Sequence, residues 1–149
     1  MAKIWLNRVI NGGSVRCDFR STCFMALFLD AFQQFRIDFV DQVHEQRYVE
    51  TIGGHQIQIP DEDYNLSGKL VNRLIQGSAS DVFNTSLELI DQEIQRQEIE
   101  ARIYFVIFDE LWLAVSGQHI AELTLLCDDV VKQVNKNFGL FLPLQARRK

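Results

Sequence analysis

Basic residues are in the minority in this chain: 15 Lys and Arg stand against 20 Asp and Glu, for a formal charge of −5 and a pI near 5.1. A protein whose own field wraps nucleic acid concentrates Lys and Arg, so any hold on a polyanion here has to be local or shared. The cysteines, Cys17, Cys23 and Cys127, form an odd set without the paired short spacings of a zinc site. With no secretory leader readable ahead of them, they point to a reducing, cytoplasm-like compartment. The longest apolar run, Cys23 to Leu29, falls far short of the roughly 20 residues that span a bilayer, so no membrane partner is expected. Internal repeats and low-complexity tracts are absent. What the chain has in quantity is apolar side chains: 47% of 149 residues, enough to bury the core of one compact unit.

The opening residues mix apolar side chains with Asn11-Gly12-Gly13-Ser14, a flexible-loop signal, and residues 1–20 are left unassigned. From Ser21 onward, Phe24, Phe28, Ala31, Phe35, Phe39 and Val43 recur at spacings of three and four. That spacing predicts a helix over 21–46 with one face on a core and a possible break near Arg36. Tyr48 to Ile52 and His55 to Ile59 flank Gly53-Gly54, which supplies the positive φ of a tight hairpin. After the acidic loop that follows Pro60, Ser67 reads as the cap of a helix of about thirty residues through Leu70, Leu74, Val82, Phe83, Leu87, Ile90 and Ile94. Ile103 to Phe108 and Leu111 to Val115 enclose only Asp109-Glu110, a second hairpin with carboxylates at its tip. Ile120, Leu123, Leu126, Val130, Val131 and Val134 mark a last amphipathic helix, and Gly139 to Leu144 a closing strand. The class expected is α+β: a small antiparallel sheet, the acidic hairpin plus the C-terminal strand, packed against long helices.

Three segments in this order resemble the palm of family A DNA polymerases, over about Leu29 to Leu144. Tyr48-Val49-Glu50-Thr51-Ile52-Gly53-Gly54 is similar to a hairpin of that family. Asn72-Arg73-Leu74-Ile75-Gln76-Gly77-Ser78-Ala79-Ser80-Asp81 is similar to a family helix, and Val106-Ile107-Phe108-Asp109-Glu110 to the catalytic hairpin called motif C. The resemblance implies that residues 21–149 form a palm-like domain of the C-terminal part of that subdomain. It implies that Asp109 is a metal ligand and that Asp109 and Glu110 are the catalytic carboxylates. It further implies that Asn72 and Gln76 contact primer–template DNA. Asn72 and Gln76 lie four apart and so share a helix face, where amide donors can meet the minor-groove acceptors that every base pair offers.

Other residues weaken catalysis. Two-metal phosphoryl transfer requires carboxylates bridging cations spaced roughly 3.5–4 Å apart, and one hairpin tip cannot supply that cage. The family's second metal aspartate and its fingers motif are not readable in this chain. Phe108 stands where the family has a histidine, and a phenyl ring can neither donate to a phosphate nor carry charge. Gly68 replaces an arginine, for which Lys69 offers only a point charge, and His55-Gln56 replace an arginine pair. Asp128-Asp129 and Asp61 to Asp63 read as solvated positions, and His44, His55 and His119 as ordinary polar ones without ligand-like partners. Trp5 and Trp112 read as packing anchors. Gly77, costly inside a helix by about 1 kcal/mol, implies a close backbone approach, in the family to the strands beside the active site.

The reading that absorbs these departures is a non-catalytic palm-derived subunit, a binding or scaffold component of a larger nucleic-acid or protein assembly. It would bind primer–template DNA weakly through Asn72, Gln76 and Lys69, with another protein chain as partner and no cofactor of its own. A split polymerase is the alternative: active with Mg2+ only when a second chain supplies the missing aspartate and fingers, and leaving a large apolar face for that chain to cover. An unrelated small α+β interaction protein is the third reading.

Overall fold

The computed structural model describes residues 23–61, 67–107 and 110–140, with side chains from Phe28 onward. In chain order the elements are α1 (Cys23–Gln46), β1 (Tyr48–Glu50), β2 (Gln56–Gln58), α2 (Ser67–Arg96), β3 (Ala101–Ile107), β4 (Glu110–Val115), a 3-10 turn (Gly117–His119) and α3 (Ile120–Asn137). This is the α+β content expected. Where chain length suggested one compact unit, the chain divides into two, Met1–Ser78 and Ala79–Lys149, because its buried side chains form two separate clusters.

In the first unit, α1 supplies Phe39 and Val43, β1 supplies Val49, and α2 supplies Leu70 and Val71, with Ile59 closing the cluster. Burying each such side chain fully is worth about 1.5–3 kcal/mol. The helix α1 runs unbroken past Arg36, contrary to the break considered there. Its aromatic stripe is also less buried than periodicity implied. Phe28, Phe32, Phe35 and Phe39 stand in a ladder with ring centroids 6.1, 6.1 and 5.7 Å apart, yet Phe28 and Phe35 are exposed. One wall of that stripe meets the core at Phe39 and Val43, and ring-on-ring contact occupies the rest.

β1 and β2 pair antiparallel with Val49 opposite Ile57. Between them the Thr51 N–H donates to the His55 carbonyl at 2.9 Å and the Gly54 N–H to the Thr51 carbonyl at 2.9 Å. Gly54 sits at φ 81°, the left-handed region the sequence reserved for this turn. The Thr51 hydroxyl, on a buried residue, accepts from the His55 N–H at 3.1 Å, so this hydroxyl is paired within the turn.

In the second unit, Val82, Ile90 and Ile94 of α2 meet Leu123, Leu126, Val130 and Val134 of α3, and Leu111, Leu113 and Val115 of β4 pack against that cluster. Spacings of three and four along α3 put its apolar residues on one stripe. After α3, the N–H groups of Gly139 and Leu140 donate back to the carbonyls of Lys136 and Asn135, and Leu140 packs on the core. Gly139 and Leu140 therefore cap a helix, where the sequence suggested the start of a strand. The remainder of that strand, 141–144, lies outside the described residues, as do residues 1–22. The two hairpins form separate two-stranded sheets.

Candidate nucleic-acid interface and acidic hairpin

The first three turns of α2 have two opposed faces. Leu70 and Val71 are buried, and Gly77 and Ser78 meet the β1–β2 hairpin. A Cβ at Gly77 would lie 2.6 Å from Thr51 Cγ2 and 2.7 Å from Ile57 Cδ1, both too close. One position on, the Ser78 hydroxyl accepts from the Ile52 N–H at 3.0 Å and pins the turn to the helix. The close approach expected at Gly77 is thus present, and the element that makes it is β1–β2.

Lys69, Asn72, Arg73 and Gln76 fall, at about 100° per residue, within an arc of about 100°; Asn72 and Gln76 lie opposite the buried Leu70 and Val71, and Arg73, on the same row as Gly77, lies at the edge nearest β1–β2. Lys69 and Gln76 are exposed and Asn72 and Arg73 half-buried. Asn72 and Gln76, four apart on one helix, therefore share a face, as their spacing required. Arg73 was not singled out from sequence, although its signal was legible: it follows Lys69 by four positions and so lies one turn further along the same face.

The second hairpin is built differently. β3 and β4 pair from Ala101 opposite Val115 to Ile107 opposite Glu110, with one irregularity between Ile103 and Phe105. Tyr104 is the extra residue of this bulge, and it reverses which face the following side chains occupy. Before it, Ile103 lies opposite core-facing Leu113; after it, Phe105 lies opposite Trp112. Phe105 and Trp112 stack at 5.1 Å on the side away from the core, 36% and 47% exposed. Ile107, 46% exposed, and Glu110, half-buried, continue that outer face. Tyr104 and Val106 are also exposed. Trp112 is therefore not a core anchor, as sequence suggested; the alternation of β4 turns it outward.

Asp109, Phe108 and the acidic loop residues Glu62 and Asp63 lie outside the described residues. Glu110 is the first residue of β4, and among the described residues no three His, Cys, Asp or Glu side chains gather as metal ligands. The described carboxylates alone thus do not fit a divalent cation. Asp128 and Asp129 are solvated, Asp129 pairing with Lys132 at 2.7 Å, which raises the lysine's pKa. The Nδ1 of His119 meets Glu122 at 2.9 Å as α3 begins, a surface pair and not part of a metal-ligating cluster among the described residues. Burial, with Asp128 adding repulsion, pushes the Cys127 thiol upward and keeps it protonated.

The helix-borne amides and the motif C-like hairpin, on an α+β chain, match one class of protein. The profile of DNA polymerase family A covers residues 21–149, and the chain belongs to that family. It is 29% identical over 111 residues to DNA polymerase I of Pseudomonas aeruginosa, covering 69% of this chain and 12% of that protein. To DNA polymerase I of Mycobacterium leprae it is 23% identical over 121 residues, covering 76% of this chain and 13% of the relative. The chain spans about an eighth of the length of these relatives. Its fold matches the polymerase domain of Pol1 from M. smegmatis, solved in complex with DNA primer–template and dNTP, with a TM-score of 0.75 and 22% identity. That match covers 96% of this chain and 28% of the other.

Proposed function

We propose that this chain is a palm-derived binding subunit of a nucleic-acid assembly, one that does not copy DNA alone. Asn72 and Gln76 contact the minor groove of a primer–template duplex, with Lys69 beside them, and another protein chain covers the outer face of β3–β4. The observation that carries the reading is that outer face: Tyr104, Phe105, Ile107 and Trp112 leave a continuous apolar surface on a hairpin bearing motif C-like carboxylates. Surfaces of this kind on soluble proteins mark interaction sites. The losses at Gly68 and Phe108 remove phosphate contacts that a polymerising enzyme uses, and support binding without catalysis.

The same exposed face favours a second reading, a split polymerase in which the partner brings the other metal aspartate and the fingers. Asp109 and Glu110 would then hold Mg2+ jointly with the partner's carboxylate, the ion steadying the leaving oxygen. Primer extension with Mg2+ or Mn2+ decides between them. Purified protein is expected to incorporate no nucleotide. Incorporation that disappears in Asp109→Ala overturns the binding-subunit reading.

A further inference from the structure

The outer face of β3–β4 has a charge pattern as well as an apolar centre. Ala101 packs on the core, so alternation sends its exposed neighbour Arg102 to the outer side. The Ser116 N–H donates to the Glu100 carbonyl at 3.0 Å, which carries the ladder one step further and sets the exposed Glu100 on the same side as Arg102. At the other end, Glu110 stands two residues before Trp112 and shares its side. From base to tip the face therefore runs through Glu100 and Arg102, then the Phe105–Trp112 stack, then Ile107 and Glu110. A carboxylate stands at each end of the apolar centre, and one cation offsets the first. The surrounding stretch is acidic as well: Ala79–Lys149 holds 11 Asp and Glu against 7 Lys and Arg, and two of those cations, Arg96 and Lys132, are bound to Glu93 and Asp129.

We propose that the partner seated on this face is a protein surface of basic character: apolar side chains against Phe105 and Trp112, with a Lys or Arg beside them that reaches Glu110. The inference rests on the partner reading above and gives that partner its chemistry. Charge decides among the occupants. A second copy of this chain brings the same excess of carboxylates, and a nucleic-acid strand brings phosphates, so both meet repulsion here. A basic protein meets attraction over the whole stretch and an apolar seat at its centre, where Trp and Tyr are among the side chains that carry most of an interface's binding energy. Glu110 has an interaction within its own chain, but a carboxylate offers about four acceptor sites, so a further donor can be taken. Such a partner also brings the cations that a chain of formal charge −5 lacks for holding a polyanion.

The test uses two fluorescent peptides with the same short Leu- and Phe-rich centre, one flanked by lysines and its twin by glutamates, titrated with the full chain and read by anisotropy. The lysine peptide is expected to bind about ten-fold tighter than its twin at low salt, an advantage that shrinks as salt rises. Phe105→Ser with Trp112→Ser should abolish that binding, and Glu110→Lys should narrow the preference while the apolar contact is kept. Circular dichroism of each variant confirms that the fold is intact. If both peptides bind alike and both are lost in the aromatic variant, the charge selection is wrong and the partner reading stands. If the aromatic variant binds the lysine peptide as well as the native chain does, general attraction to an acidic surface accounts for the binding and the docking site is wrong. Sedimentation that shows a native dimer, dissociated in the aromatic variant, gives the face to a second copy and overturns the inference. Binding of neither peptide at any salt concentration sinks the underlying partner reading as well.

Discussion

The two hairpins make an instructive pair. β1–β2 has three residues per strand, and every constraint on it is met inside its own unit: a helix glycine makes room for Thr51 and Ile57, and a helix serine holds the Ile52 N–H. β3–β4 is about twice as long and bulged, and the described residues of its unit cover one of its faces. The first hairpin is a finished piece of packing. The second is half of a contact: its bulge turns Phe105 away from the core and onto Trp112, an arrangement that core packing does not need.

The comparison breaks most sharply at Gly77. Gly77→Val is expected to cost about 2–3 kcal/mol, because crowding a packed site outweighs the helix propensity gained. Urea unfolding measures it. The sharper version is a double-variant cycle: Thr51→Ser removes the methyl 2.6 Å from the new Cβ, so Gly77→Ala should cost less in that background than in the native one. Equal costs would mean that the hairpin does not press on the helix at this point.

On the second hairpin the expectation is reversed. Phe105→Ser with Trp112→Ser gives up one aromatic stack, worth about 0.5–1.5 kcal/mol, and little burial. Its principal effect should be on the surface, seen as loss of most binding of an environment-sensitive apolar dye. A large fall in stability with dye binding unchanged would show that this face is already covered. Below both sits Ser78→Ala, which removes one hydrogen bond to the Ile52 N–H and should cost about 0.5–1 kcal/mol by urea unfolding. No change would show that water replaces the serine without loss.

Legibility in the sequence followed the same division. Elements with a single strong period or turn signal were readable: the thirty-residue helix from Ser67, the Gly53-Gly54 turn, and both strand pairs. The face shared by Asn72 and Gln76 followed from spacing alone. What sequence could not supply was which side of an apolar segment meets protein. Phe28, Phe35 and Trp112 looked like core residues because apolarity says that a side chain favours burial, and does not say that a neighbour exists. The bulge at Tyr104 was equally hidden, since a run from Ile103 to Phe108 without polar alternation does not reveal a change of face. The capping role of Gly139 and Leu140 was missed because glycine followed by apolar residues reads equally well as a strand start.

The smallest effect belongs to the polar end of α2, where the chain's charges answer one another locally. The Arg96 guanidinium meets the Glu93 carboxylate at 2.6 Å, and Gln97 donates to the same carboxylate. The hydrogen bond from Arg96, then that from Gln97, holds the Glu93 pKa below its ordinary value of 4.5. A carboxylate depressed on folding stabilises the folded state above its unfolded pKa, and that contribution fades as pH falls through the folded one. Glu93→Gln should therefore lower stability slightly at neutral pH, and the difference from the native protein should vanish as pH falls below the ordinary carboxylate range. Because Arg96 is exposed, the difference should shrink further in high salt. Urea unfolding at pH 7 and at acid pH, at two salt concentrations, measures it. A loss at pH 7 comparable to that from Gly77→Val would mean that this ion pair is screened from water, and that the second unit relies on its polar end as the first relies on its hairpin.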